Sequence, residues 1–426
     1  MYGSLSLLAI ETRAAAGVVA FVLALFGAVM AHEAGHYVVA RRAGMKVTEF
    51  FFGFGPRIWS TKRPTHVRTA DGTRTRPVQT EFGIKALPLG GYVKIAGMNA
   101  YEEIPEEDRG FTYADKPFRQ KAAVVAAGPT MNIFMAFALL VGLAMAGALP
   151  DQEVPVPRVA ALIPPLGCED FVGTSRLDGS DCSVPTPARV AGLQPGDEFV
   201  SADGRAIASW KDVRAALESN VGGEVDFLVR RGEEVVPVTL RVAQRPPLEG
   251  EETPQPFIGI LVDTDRVRDD PAAAVVRAGK YTGAMVAAAV IAIKNFFTPS
   301  YLQRYFGLLG GKQDEEANAQ RFVSPIGLGR LSAEAAKAGW EHLLYTMVIF
   351  NLFLGVFNLL PLYPLDGGHL AVATYEAVAS RIKRQRVQVD MRKLAPFAAA
   401  VVAIFLFLAV TSLYLDVTNP IVNPFR

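Results

Sequence analysis

The chain runs to 426 residues, half of them hydrophobic, with a formal net charge of +1. That near-neutral balance gives no reason to expect nucleic acid as a partner, and the positive mean hydropathy excludes an ordinary soluble enzyme and points to membrane spans. Two cysteines, Cys168 and Cys182, are too few for a cysteine metal site or a disulfide scaffold; a local disulfide, if their segment is extracytoplasmic, and two separate thiols are the readings left open.

A bilayer-crossing helix takes roughly 20 apolar residues. The first such stretch, about Ala14–Val39, has only Arg13 before it and no clean cleavage site after it, so it is expected to stay in the mature protein. Near its end stands His32-Glu33-Ala34-Gly35-His36. Residues four apart on a helix share a face, so both imidazoles reach one metal ion, and Glu33 beside it can act as general base. Zinc suits nitrogen donors in a tetrahedral site that keeps one position for water, whose pKa it lowers towards neutrality. Ionisable residues beside hydrocarbon cost several kcal/mol unless paired or metal-bound, which favours function over two solvated surface histidines.

Two β-rich apolar stretches follow, FFGFGPRIW and GIKALPLGGYVKI, separated by the basic and polar residues 61–81. That intervening stretch, with His66 in it, reads as a solvated loop at the tip of a hairpin, or as a segment drawn to anionic lipid headgroups. The second span, about Ala122–Leu149, places Asn132 one turn after Gly128-Pro129. The Asn132 amide can hold substrate or stabilise an oxyanion, or bond a neighbouring helix; Asn358 carries the same two readings.

Between about Val154 and Val262, ARVAGLQPGDEFVSADGRAI reads as a short helix, a Pro-Gly turn, a strand and an Asp203-Gly204 turn. Ser209 then opens a capped helix with Asp212 completing a capping box, and EVDFLVRRGEEVVPVTLRV gives two alternating strands around a turn at Arg231-Gly232. This order looks like a circularly permuted bacterial PDZ domain, a module that binds peptide on a sheet edge; a generic small β-rich domain is the alternative. Ala272–Phe297 is apolar but interrupted by Arg277, Lys280 and Lys294, so it reads as an amphipathic helix at the membrane surface. The remaining spans lie near Leu343–Leu360 and Leu394–Tyr414. Between them, Pro361 and Pro364 break the helix, Gly367 and Gly368 permit close backbone approach, and Asp366 and His369 both offer a third metal ligand. Spacing leaves that choice open. His342 sits at the far end of its span.

Four spans put three basic clusters on one side: Arg41, Arg42 and Lys46; Lys116, Arg119 and Lys121; and the group from Arg381 to Lys393. By the positive-inside rule that side is cytoplasmic, with both termini and the long central segment outside.

H-E-x-x-H at the end of a first span, with N-x-x-P-x-x-P-L-D-G far downstream, resembles the site-2 protease family of intramembrane zinc metalloproteases, and the PDZ-like insert resembles its regulator of sigma-E protease subgroup. FGFGP, LPLGGYVKIAGM, AAGPTMN and SPIGLGRL are further family-like elements. The resemblance implies that Asp366 joins His32 and His36 as zinc ligand, with Glu33 as base; Asn132, on the reading of its position above, is the further candidate catalytic residue. The β-rich stretches look like the family's membrane-associated β-hairpin; an exposed edge there can pair with an unwound substrate, with Phe54, Gly90, Gly91, Tyr92 and Asn358 as candidate substrate-binding residues, and a small cytoplasmic sheet with only a packing role is the alternative.

The expected architecture is a multi-pass α-helical membrane protein of about four transmembrane helices, with a membrane-associated β-hairpin region and an inserted extracytoplasmic PDZ-like α+β domain. Residues 1–121 hold the first helix and the cytoplasmic-side β-rich loop, 122–150 the second helix, 151–265 the PDZ-like domain, 266–338 interfacial helices and a connector, and 339–426 the third and fourth helices with the L-D-G motif. The expected activity is zinc-dependent cleavage of single-span membrane proteins, of anti-sigma-factor type or remnant signal peptides, in the bacterial plasma membrane, after trimming by an upstream site-1 protease. A zinc transporter would show paired repeats, which are not evident, and a non-catalytic PDZ scaffold needs no H-E-x-x-H.

Overall fold

The computed structural model describes residues 2–68, 75–98, 102–163, 185–245, 255–312, 314, 317–318 and 321–421; Cys168, Cys182 and residues 69–74 of the 61–81 stretch lie outside them. The chain divides into two units, Met1–Met145 with Asp270–Arg426, and Ala146–Asp269.

In the first unit, helix α1 (Tyr2–Arg42) carries the H-E-x-x-H motif close to its C-terminal end, where Arg41 and Arg42 face the negative end of the helix dipole. Helix α2 is Phe118–Ala146. Further along come α5 (Pro271–Phe296), α6 (Pro299–Leu309), α7 (Pro325–Ala338), α8 (Trp340–Asn358), α9 (Asp366–Lys383) and α10 (Ala395–Thr418). Among the described residues five helices are long and apolar enough to cross a membrane, within Thr12–Arg42, Phe118–Gln152, Pro271–Phe296, Trp340–Asn358 and Arg392–Thr418. The sequence predicts four, with Ala272–Phe297 lying on the membrane surface. Length and apolar content qualify that segment too, because its three basic residues are spread over 26 positions. It starts where the Asp270 carboxylate accepts from the N–H groups of Ala272 and Ala273. Helix α7 lies close along α1: a Cβ on Gly17 would come within 2.6 Å of the Ala336 side chain.

Strands β1 (Val47–Arg68) and β2 (Thr75–Ile95) pair antiparallel over most of their length, and residues 49–52 of β1 also run alongside residues 81–84 in the same direction. Phe50 stands opposite both Phe82 and Val93, and Phe52 opposite both Ile84 and Gly91, so residues 49–52 run between residues 81–84 and 91–94. The chain bends at Gly53 and Gly55 (both φ 83°), a conformation glycine adopts without strain. The sheet leans on α1 through edge-to-face contacts of Phe52 with Phe26 and of Phe50 and Phe82 with Tyr37. Residues 61–68 and 75–81 prolong the pairing, so His66, read as part of a loop, stands in a strand, and it is exposed.

At the other end of this unit, the guanidinium of Arg321 meets Asp416 of α10 at 2.7 Å, with both side chains buried. The same carboxylate accepts from the Ser324 backbone N–H at 2.8 Å, just before α7 begins, and Arg321 also donates to Asn318. Removing one member leaves a buried charge uncompensated, so Asp416→Ala should destabilise the protein by about 3–5 kcal/mol. Thermal unfolding in detergent reads this directly; an unchanged midpoint would mean that the pair is hydrated.

The second unit is an α+β domain. Helix α3 (Pro187–Val190) precedes β4 (Glu198–Ala202) and β5 (Arg205–Ala206). Helix α4 (Trp210–Ser219) starts where the Asp212 carboxylate accepts from the Ser209 backbone N–H at 2.8 Å. Strands β6 (Glu224–Arg231) and β7 (Glu234–Arg241) turn at Gly232 (φ 62°). With β3 (Glu153–Leu162) and β10 (Ile260–Arg266) they form a sheet in the order β10-β3-β4-β6-β7 with β5 beside β4, and β8 (Ala243–Arg245) pairs with β9 (Gln255–Phe257). Alternation along β6 sends Val225, Phe227 and Val229 inward against Phe199, Val213, Leu217 and Leu240. Burial alone would raise the pKa of Asp197, but the bidentate Arg231 guanidinium outweighs it and holds the carboxyl below its ordinary value.

Candidate active site

Helix α1 presents His32 and His36 one turn apart, both buried. Their Nε2 atoms are 3.2 Å from each other. Asp366, the first residue of α9, brings Oδ2 to 3.0 Å from His32 Nε2 and to 3.3 Å from His36 Nε2. It reaches them because residues 359–365 fold tightly over the start of α9: a Cβ on Gly367 would lie 2.1 Å from the Leu360 carbonyl oxygen. His36 Nδ1 donates to the Val124 carbonyl oxygen at 2.7 Å, which puts the ring proton there and leaves Nε2 a lone pair. His32 lacks such support among the described residues, its Nδ1 being buried there without a hydrogen-bond partner.

The three lone-pair atoms therefore form a triangle with edges of 3.0, 3.3 and 3.2 Å. With metal–ligand distances of about 2.0–2.1 Å, two ligands of a tetrahedral zinc ion are separated by about 3.3 Å. The donors thus have the chemistry and spacing of a three-residue catalytic zinc site, and among the described residues they form a group able to hold a metal ion.

Helix α2 supplies the wall of this group. A Cβ on Gly128 would lie 2.3 Å from His36 Nε2 and 2.7 Å from His32 Nε2. The residue leaves empty the space into which the imidazoles point. Gly35 permits the approach from the other helix, since a Cβ there would be 2.5 Å from the Ala127 carbonyl oxygen. Lys121 ties α2 to α9 through an ion pair with Glu376 at 2.9 Å, and Glu376 also accepts from the Val389 N–H. Neither Gly128 nor the carbonyl of Val124 was singled out from sequence, although AAGPTMN marked their neighbourhood.

Glu33 lies beside the donors, and its Oε2 accepts from the Val93 backbone N–H at 2.9 Å. Gly91 runs close by, so that a Cβ there would meet Met30 Sδ at 2.8 Å. Tyr92 stacks between Phe51 and Phe54, with centroids 5.8 and 5.9 Å away, while its hydroxyl bonds Glu49 and receives Lys85. Gly90 adopts φ 125° and would bring a Cβ to 3.4 Å from the Phe54 ring. Four of the residues expected to bind substrate thus cluster on the sheet beside Glu33. Asn132 is fully buried, and among the described residues neither atom of its amide has a hydrogen-bond partner. Next to it α8 comes close, since a Cβ on Gly355 would lie 3.4 Å from Asn132 Cβ. Asn358 ends α8 and is half-buried. His369 turns to Tyr363, ring centroids 4.9 Å apart, and stays outside the donor triangle.

Such a site on apolar helices defines a membrane metallopeptidase, and the chain belongs to peptidase family M50, the site-2 proteases, whose model matches residues 20–402. It is similar to the zinc metalloprotease Rip1 of Mycolicibacterium smegmatis, with 33% identity over 421 residues covering 95% of this chain and 98% of that protein. The zinc metalloprotease Rip1 of Mycobacterium tuberculosis H37Rv is 32% identical over 428 residues, 96% of this chain and 98% of that protein. The enzyme is a metalloendopeptidase, and its cofactor is zinc.

Proposed function

We propose that the protein is an intramembrane endopeptidase that cuts single-span membrane proteins, with zinc held by His32, His36 and Asp366. The observation that carries this reading is the convergence of those three donors beside a glutamate that touches a strand edge. When bound, zinc polarises a water molecule and the peptide carbonyl. Glu33 accepts the water proton and returns it to the leaving nitrogen. The Asn132 amide, buried without a partner, donates to the carbonyl oxygen as negative charge develops there, which also satisfies an otherwise costly buried group. Substrate enters as an extended strand along β2 near Gly90, Gly91 and Tyr92, bordered by Phe54 and Asn358, because a helix offers no free backbone groups for pairing.

The α+β unit acts as a PDZ-like filter outside the membrane that rejects substrates with bulky outer domains. Both termini are extracytoplasmic, and four helices span the plasma membrane with Pro271–Phe296 at its surface. Anti-sigma factors already trimmed by a site-1 protease, and remnant signal peptides, fit such a filter. In liposomes, the enzyme should cut a single-span substrate with a short outer segment and spare the same substrate carrying a folded outer domain. Equal cutting of both would remove the filter; cutting only of soluble peptides would remove the intramembrane assignment.

A further inference from the structure

Helix α1 and strand β2 share a polar contact with an unusual pairing of partners. The Val93 backbone N–H donates to the Glu33 carboxylate at 2.9 Å. Val93 stands opposite Phe50, while its neighbours Tyr92 and Lys94 stand opposite Phe51 and Glu49. Backbone groups of an antiparallel strand alternate between the partner strand and the other side. With its N–H engaged by Glu33, Val93 belongs to the row that points away from β1, and that is the row an added strand must use. Gly91 lies on the same row, and a Cβ there would approach Met30 Sδ to 2.8 Å and Glu33 Cγ to 3.8 Å. The carboxylate that serves as base thus caps the donor that an incoming strand needs.

We propose that the Val93 N–H is handed over from Glu33 to the substrate. An extended peptide places a carbonyl oxygen on Val93 N–H, Glu33 loses that bond, and the freed carboxylate turns to the reacting water. One N–H makes one strong hydrogen bond at a time, so the two occupancies exclude each other. A helical segment, whose carbonyls are engaged internally, cannot release Glu33; an unwound one can. Local unwinding of the substrate thereby becomes a condition for freeing the base. This inference rests on the strand-addition reading above and adds to it a substrate-dependent restraint on Glu33.

The test uses zinc-free full-length protein in detergent and a fluorescent apolar peptide with central glycines and no metal-binding group. Glu33→Ala uncaps the donor, so the peptide should bind about five- to tenfold more tightly than to the wild type, the scale of one net hydrogen bond. Glu33→Gln keeps an acceptor oxygen and should bind close to the wild type. Replacing Val93 by its hydroxy acid, which turns the N–H into an ester oxygen, should weaken binding strongly in Glu33→Ala and weakly in the wild type. Equal affinity of Glu33→Ala and wild type, with the ester weakening both alike, would overturn the handover and leave strand addition standing. An ester without effect in either background would overturn both.

Discussion

Glutamine in place of Glu33 should lower turnover by about 10²- to 10⁴-fold while zinc stays at about one ion per chain. Glu33 is outside the triangle formed by His32, His36 and Asp366, so exchange of its carboxylate for an amide of the same shape leaves the donors in place. The amide oxygen can still accept from Val93 N–H, which keeps β2 seated against α1. What disappears is the ability to take a proton. Metal analysis of the purified variant, alongside cleavage of a membrane-embedded substrate, separates the two effects. Turnover within a few-fold of the wild type would show that another group is the base, and loss of zinc would show that Glu33 is itself a ligand.

Alanine at position 128 should empty the metal site without touching any donor. The added methyl would sit 2.3 Å from His36 Nε2 and 2.7 Å from His32 Nε2, both far inside van der Waals contact, so the imidazoles must swing out of their triangle. Loss of supporting contacts around a metal typically weakens binding by 10- to 100-fold; displacing two ligands together should cost about a hundredfold or more, with cleavage lost in proportion. Gly142→Ala on the same helix meets nothing within 4 Å and should leave both properties unchanged. Zinc affinity is measured by competition with a chromophoric chelator. A Gly128→Ala enzyme that binds zinc like the wild type would mean that the metal sits away from the imidazole Nε2 atoms.

The imidazole pair was legible because helical periodicity is local: four positions along α1 return the chain to one face whatever surrounds it. Choosing between Asp366 and His369 from residues alone was not possible, since both follow the same proline-broken stretch and their directions depend on how residues 359–365 fold back over α9. Resemblance to a family favoured Asp366, and the geometry brings its carboxylate against both rings while His369 turns to Tyr363. In the sequence Gly128 served only to place Asn132; only the paired helix shows what the missing side chain makes room for. The double pairing of β1 was equally hidden, because register between bent strands is decided by contacts far apart in sequence. Ala272–Phe297 shows a further limit: three basic residues argue for the membrane surface and length argues for a span, and composition does not rank these arguments.

Of the donors proposed for zinc, His36 and Asp366 stand 330 positions apart in the sequence. During synthesis the histidines leave the ribosome long before the aspartate exists. With the proposed ligand set, a partly made chain therefore carries two of the three zinc donors. On that reading, zinc-dependent cleavage waits until synthesis has passed Asp366, a delay that comes from the order of the sequence itself.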